Sequence, residues 1–330
     1  MYQGISATTS ALGIIKICFK LRSLLEDSVK RNLAEGILLS GGLDTSILAL
    51  IASRFASLKA FTVALEGAPA PDVQYASLMA RRLGLKHFIY YFDERELHDA
   101  IKAVVATVKS FDPMEVRNSI AIYEALKLAK QEGLSSVISG DGCDELFAGY
   151  DFLVKMEEEK LKLELSKLWN LMSFSSIPLA QTLGIQAKLP YLDPELKRFA
   201  MEIDWRYKVR SEKGQLWGKW ILRKAFEGIL PVEIVWRAKV PIEMGSGTTI
   251  LPEMFNQKIS DEEFEEKRKK YLKHDKVVIR DKEQLFYYEI YRSTVGIPYL
   301  LSSQGRKCPQ CGSNVNGEAA YCRTCGAYPI

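Results

Sequence analysis

The segment Leu38–Ser46 reads LLSGGLDTS. It continues the apolar stretch GILL and opens a helical pattern, so two glycines and an aspartate stand where a buried strand hands over to a helix. Glycines at such a turn let the backbone approach a ligand with no Cβ in the way. The N–H groups of the first helical turn, together with the helix dipole, favour an anion there. Ser40, Gly41 and Gly42 therefore form a candidate phosphate cradle. Asp44 repels a bare phosphate unless a cation stands between them, and Mg²⁺, which takes carboxylate and phosphate oxygens together, resolves the conflict. The Lys-Ser or Lys-Thr pair of a Walker A loop is absent, as is G-x-G-x-x-G at this turn. The competing reading is a plain strand-to-helix turn capped by Ser or Asp.

Outward from this loop, strand and helix patterns alternate. GILL (36–39), LKAFTVAL (58–65), HFIYYF (87–92) and SSVIS (135–139) read as strands. TSILALIASRFA, DVQYASLMARRLG, ELHDAIKAVVATVKSF and SIAIYEALKLAKQEG read as helices, with Asp72 placed as an N-cap and Gly84 as a stop. The alternation predicts an α/β fold, a parallel sheet with helices on both faces, and such sheets bind ligands at the carboxyl ends of their strands. A second loop belongs to that edge. SGDGCDELFAGY (Ser139–Tyr150) also follows a strand and starts a helix, and it carries Asp141, Asp144 and Glu145 beside glycines. Two acidic turns at one sheet edge exceed what capping needs. Asp44 and Asp144 are the candidate ligands of one shared metal ion.

The rest of the chain sets limits. Its 330 residues are 47% hydrophobic, enough for a large core and for more than one domain. A net charge of +4 is too mild to argue for nucleic acid. No run of eighteen apolar residues suggests a membrane span, and the N-terminal ALGIIKICFKL, with basic residues inside it, reads as an amphipathic helix from about Ser10 to Asn32. Beyond Asp151 the pattern is mainly helical, with charged stretches that read as solvated faces. The expected organisation is an N-terminal helix (1–32), a nucleotide-binding domain (33–300) and a small terminal module (301–330).

That module holds CPQCGSNVNGEAAYCRTCG. Cys308, Cys311, Cys322 and Cys325 form two C-x-x-C turns, each followed by a glycine. Four thiolates make a closed tetrahedral site, so the expected ion is structural Zn²⁺. A disulfide pair is the alternative, and a cytoplasmic, reducing compartment disfavours it. The other two cysteines, Cys18 and Cys143, read as small buried hydrophobes.

Taken in order, the motifs are familiar. LLSGGLDTS resembles the pyrophosphate-binding loop of the N-type ATP pyrophosphatases, the PP-loop or adenine nucleotide alpha hydrolase-like superfamily. SGDGCDELFAGY resembles the second motif of its asparagine synthetase branch. FDPMEVRNSIAIY, AKLPYLDPEL, KWILRKAFEGILP and VWRAKVPIEMGSG resemble further elements of that synthetase domain, so the likeness covers about Leu33 to Gly247. The resemblance implies a ligase that activates a carboxylate with ATP, releases pyrophosphate, and lets ammonia displace AMP from the acyl-adenylate. In the family the acid is aspartate. By the same resemblance, Ser40, Gly41, Gly42, Thr45 and Ser46 bind the pyrophosphate and Asp44 and Asp144 hold Mg²⁺. Asp72 stands at a further acidic position, Lys239 contacts pyrophosphate, and Arg117 holds substrate carboxylate or phosphate. Backbone around Leu38, Val63 and Gly140 frames adenine.

Some positions depart from the family pattern. Asp141 stands where glutamate is usual, at a position tied to proton transfer or to placing the amine. Gln186 and Lys188 replace a glutamate and an arginine, and Cys143 replaces a small residue. The residues before Leu33 read as one helix, so the expectation is a chain without a built-in glutaminase that takes ammonia free or from a separate subunit. The terminal module does not belong to ordinary asparagine synthetases, and RNA or protein contact, or a lid or dimer staple, are its candidate roles. Two other functions stand beside the ligase: a PP-loop enzyme that adenylates a tRNA base or carrier and transfers nitrogen or sulfur, and a non-catalytic nucleotide-binding subunit.

Overall fold

The computed structural model describes residues 3–212, 214–317 and 319–330, with side chains described from residue 12 onward. Five parallel strands form the central sheet: β1 (Gly36–Leu38), β2 (Lys59–Leu65), β3 (Lys86–Phe92), β4 (Ser136–Ile138) and β5 (Gln186–Lys188), in the order β3-β2-β1-β4-β5. The first six helices are α1 (Gln3–Arg31), α2 (Leu43–Ala52), α3 (Asp72–Leu83), α4 (Glu94–Val108), α5 (Pro113–Gln131) and α6 (Cys143–Phe147).

Strand residues alternate between two cores, as the two-residue repeat of a strand dictates. Ile37, Ala60 and Ile138 pack with α1, α2 and α3 on one face. Phe61, Val63, Leu65 and Val137 pack with α4 and α5 on the other. Helices therefore cover both faces, as the alternation predicts. Leu21, Leu25 and Val29 of α1 are fully buried in the first core. The remainder of the chain is mostly short helices, with a small antiparallel hairpin (Arg210–Glu212 with Gln215–Trp217). No described helix is long and apolar enough to cross a membrane.

Three expectations need correction. Asp72 is not an N-cap: it is the first residue of α3, behind Pro71, and its side chain makes no cap bond. Gly84 does end that helix, in the left-handed conformation at φ 64°. Helix α5 begins at Pro113 rather than Ser119, capped by Asp112, whose carboxylate accepts from the Glu115 N–H. The fifth strand falls in a stretch not read as a strand. β5 is three residues, polar at both ends, and pairs along one side only.

The order of the sheet sets the position of the site. The chain runs from β1 outward through β2 and β3, then returns to place β4 on the other side of β1. The β1–β4 junction is a topological switch point, where the loops leaving the two strands diverge and leave a crevice. LLSGGLDTS follows β1 and SGDGCDELFAGY follows β4.

Candidate active site

The first loop is held shut on itself. The Gly42 N–H donates to Ser40 Oγ at 3.2 Å, and the Ser40 N–H donates to Thr45 Oγ1 at 3.3 Å. Gly41 adopts φ 66°, and a Cβ there would overlap the backbone of Tyr75 and Ala76 in α3, so no other residue fits. The Arg237 guanidinium donates to Ser40 O at 3.2 Å and to Asp72 Oδ1 at 2.6 Å, while lying 3.9 Å over the Tyr75 ring. Burial pushes the Asp72 carboxyl up, and Arg237 partly offsets this. Arg237 thus fastens the segment after Trp236 to the glycine loop and to Asp72 of α3.

The two loops meet through charge. Lys219 Nζ lies 2.5 Å from Asp44 Oδ2 and 2.6 Å from Asp144 Oδ1, and Lys239 Nζ lies 2.6 Å from Asp144 Oδ2. Asp44 and Asp144 therefore share one ammonium. Burial raises the Asp144 carboxyl, but Lys219 and Lys239 more than reverse it and hold it well below the usual carboxylate range. Burial lowers the Lys219 ammonium, and Asp144 and Asp44 more than reverse that. Asp144 Oδ1 accepts no hydrogen bond of proper geometry despite being buried. Gly149 makes the approach feasible: a Cβ there would overlap Asp144 Oδ1 and Lys219 Cε.

Cys143 is 1% exposed and its thiol donates to Asp44 Oδ1 at 3.0 Å. Burial, then Asp44, pushes that thiol well above its ordinary value, so it is a hydrogen-bond donor and not a thiolate nucleophile. Asp141 accepts from Ser176 Oγ, and burial raises its carboxyl despite that bond. A raised carboxyl is a stronger proton acceptor when ionised.

Placement of the expected residues is uneven. Leu38, Ser40, Asp44, Thr45, Val63, Gly140, Asp141, Asp144, Arg117 and Lys239 all line one cleft of ≈ 1680 Å³. Gly41 is buried behind the loop, and Ser46 is 0% exposed with an unpartnered hydroxyl. Arg117 donates to Glu243 Oε2 at 2.6 Å and Glu283 Oε2 at 2.8 Å, so both sides of its fork are engaged within the chain. Burial pushes Glu283 up to about 7, against the pull of Arg117. Lys219, Arg237, Glu243 and Glu283 belong to the site, and the sequence reading assigns none of them a role.

At the other end of the chain the four thiols converge. Cys308 Sγ and Cys325 Sγ are 3.6 Å apart, Cys311 Sγ and Cys322 Sγ are 3.8 Å apart, and all four sulfurs lie within 4.8 Å of one another. A disulfide needs about 2.05 Å, whereas a tetrahedral ion with bonds of about 2.3 Å spaces its sulfurs at about 3.8 Å. The two knuckles repeat each other: the Gly312 N–H donates to Cys308 O at 2.9 Å, and the Gly326 N–H to Cys322 O at 2.7 Å. These four thiols suit a structural metal ion.

Residues 20–177 and 178–294 match the family model described as asparagine synthase. Asparagine synthetase B (glutamine-hydrolysing) of Escherichia coli strain K12 is 31% identical over 306 residues, covering 84% of this chain and 54% of that protein. The glutamine-hydrolysing asparagine synthetase of Sandersonia aurantiaca is 33% identical over 252 residues, covering 69% of this chain and 47% of its own. The chain thus spans about half the length of the curated relatives it matches. Among solved structures, a predicted subunit of tRNA methyltransferase from Methanocaldococcus jannaschii aligns at a TM-score of 0.30 and 17% identity, over 62% of this chain and 92% of that one. NMN synthetase from Francisella tularensis aligns at 0.29 and 20%, over 57% and 92%. The family match extends through both loops, the sheet and the Lys219 and Lys239 segments, and on that match the chain belongs to the asparagine synthase family.

Proposed function

We propose that this chain is an ATP-dependent, AMP-forming carbon–nitrogen ligase. A carboxylate attacks the α-phosphate of ATP, pyrophosphate leaves, and an acyl-adenylate forms. Ammonia then displaces AMP and gives the amide. Aspartate is the reference acid, and ammonia is the nitrogen donor. The observation that carries the reading is the charge cluster at the switch point, where Asp44 and Asp144 come from two different loops and meet on Lys219, with Lys239 beside them.

The family resemblance and the cleft lining support these roles. Leu38, Val63 and Gly140 frame the base, and Ser40, Gly41, Gly42 and Thr45 hold the phosphates. Ser46 supports the loop from inside the core. Asp44 and Asp144 would hold Mg²⁺, which neutralises phosphate charge. Their carboxylate oxygens are the right donors, and Asp144 Oδ1 keeps an unused lone pair. Lys219 helps to hold Asp144 ionised and keeps the two carboxylates together. Lys239 is 26% exposed, so it can exchange Asp144 for a departing pyrophosphate. Asp141 takes the proton of the incoming amine. Arg117 engages a substrate carboxylate by exchanging Glu243. Cys308, Cys311, Cys322 and Cys325 would hold Zn²⁺ as a closed structural site.

The test is an incubation with ATP, Mg²⁺, aspartate and ammonium, following AMP, pyrophosphate and asparagine by mass spectrometry. Asparagine with AMP, lost in Asp44→Ala, is the expected result. AMP and pyrophosphate without asparagine would keep the activation chemistry and change the nitrogen acceptor. No aspartate-dependent AMP would remove aspartate as the acid.

A further inference from the structure

We infer that the knuckle Cys322–Cys325 is the far wall of the substrate cleft, and that Lys109 and Arg323 on this wall bind the distal anionic end of an acid longer than a free amino acid. The inference rests on the ligase reading and adds the length and charge of its acid.

The cleft has more room than the reference substrates need. Its ≈ 1680 Å³ run from Ser40, Asp44 and Asp144 to Tyr321, Arg323 and Tyr328. A site for a ligand of nucleotide size takes roughly 300–1,000 Å³, so a bound nucleotide leaves about 700 Å³ or more. Free aspartate, with a four-carbon skeleton, fills a small part of that space.

The wall is built into the domain that carries the site. The Phe111 N–H donates to Thr324 O at 2.8 Å and Ser110 Oγ to Arg323 O at 2.7 Å. From the helix Lys282–Thr294 and the turn before it, Gln284 Nε2 and Arg280 each donate to Cys325 O at 2.7 Å. Gln284 is fully buried, and Tyr321 OH donates to Asp112, the cap of α5. α5 carries Arg117, and the helix Lys282–Thr294 carries Glu283, so the knuckle touches both elements that present the substrate-side pair.

Exposed positive charge stands on this wall at Lys109 and Arg323, with the carboxylate of Asp281 elsewhere in the same lining. Lys109 and Arg323 are both exposed, and the Ser110–Arg323 bond brings them to one seam. Lys109 ends α4 at φ 55°, in the left-handed region where Gly or Asn is the usual residue, so a lysine is held there against backbone strain. Among the described residues, neither side chain forms a salt bridge, and the charge of Arg323 acts on the Glu115 carboxyl beside it; Arg323 gives one N–H to Leu171 O. The neighbouring carboxyls are turned into the wall: Asp112 accepts from Tyr321 and the Glu115 N–H, and Glu115 from Ser119 Oγ. Two cations at one seam match a single distal carboxylate. They do not make the long basic track that an RNA backbone requires. The occupant is an acidic, peptide-like chain with the reacting carboxylate at one end and a second carboxylate at the other.

The test uses the full chain with its metal. ATP–pyrophosphate exchange is measured with free aspartate and with the peptides Asp-Glu and Asp-Glu-Glu-Glu. Binding of the fluorescein-labelled tetrapeptide and of a ten-nucleotide single-stranded RNA is followed by anisotropy. A peptide should support exchange with a KM at least tenfold below that of aspartate. Lys109→Asn combined with Arg323→Ala should raise that KM at least tenfold at unchanged kcat and unchanged KM for ATP, and weaken tetrapeptide binding to match. An unchanged melting temperature shows that the double variant is folded. Equal KM values for aspartate and the peptides, or an unmoved peptide KM in the double variant, overturn the inference and leave the ligase reading standing. Peptide binding that needs Lys109 and Arg323, with no exchange from either aspartate or the peptides, keeps the subsite and removes the ligase reading. RNA binding in place of peptide binding overturns the choice of occupant.

Discussion

The switch-point cluster and the cysteine cluster solve one problem in opposite ways. Each gathers groups that are costly to bury. The four thiols come from one short stretch, Cys308 to Cys325, and are 2% exposed or less. The stretch around them is too small to hold a core by itself, so a metal ion is what makes the arrangement favourable. The other cluster draws Asp44, Asp144, Lys219 and Lys239 from four distant segments, and its charges compensate one another. Local spacing specifies the first site. Only the folded sheet specifies the second.

The largest effect that would break this comparison is loss of a cysteine. Structural zinc binding is worth roughly 10–16 kcal/mol in small metal-folded peptides. Cys322→Ser should therefore abolish stoichiometric zinc, read by elemental analysis, and unfold 307–330, read as loss of hydrogen-exchange protection. Nucleotide binding at the far end of the cleft should persist. If ATP binding disappears with the metal, the two regions form one cooperative unit and the contrast fails.

Lys219 and Lys239 sharpen the contrast, because they touch the same carboxylate from different environments. Lys219 is 4% exposed and compensates two buried charges. Removing one partner of a buried pair leaves the other uncompensated, so Lys219→Ala should cost about 3–5 kcal/mol in denaturant unfolding. Lys239 is partly in solvent, and Lys239→Ala should cost no more than about 1 kcal/mol. It should still lower ATP–pyrophosphate exchange by roughly 10²–10³-fold, the usual loss for one group that stabilises developing charge. Equal stability losses in the two variants would mean that Lys219 is not the buried counter-ion.

What could be read from the sequence follows the same division. Both loops, the cysteine knuckles and four of the five strands are local patterns of glycine, carboxylate and apolar repeat, and each lies where the pattern puts it. The start of α5 was also legible, since Asp112–Pro113 is a cap signal, but the helical repeat beginning at Ser119 drew the boundary too late. Lys219 was not legible. It sits at the head of an amphipathic pattern, with φ 55°, and only its distance from two remote aspartates marks it. For Asp72 and Arg117 the residue was legible but its partners were not: Asp72 looks like a cap until Arg237 is seen beside it, and Glu243 and Glu283 lie far along the chain from Arg117. β5 escaped because an edge strand of three residues carries almost no periodicity.

Glu283 gives a pH-dependent effect with a sign to work out. Its carboxyl is buried and raised from 4.5 to about 7. A carboxyl raised in the folded state binds its proton more tightly there than in the unfolded chain. Its contribution to stability is fully present below pH 4.5 and is lost as pH rises through about 7. Over that window the wild-type protein should lose about 1–3 kcal/mol from this group, measured by urea unfolding at fixed ionic strength. Glu283→Gln keeps a neutral hydrogen-bonding group of the same shape beside Arg117 and Tyr287, so it should flatten the loss between those pH values. Asp144 runs the other way: its lowered carboxyl gives stability that is present above the ordinary Asp value and lost in acid. A variant profile as steep as the wild type between pH 4.5 and 7 would mean that Arg117 keeps Glu283 ionised throughout. The substrate-side pair would then resemble the Lys219 cluster, a compensated charge set fixed by the fold.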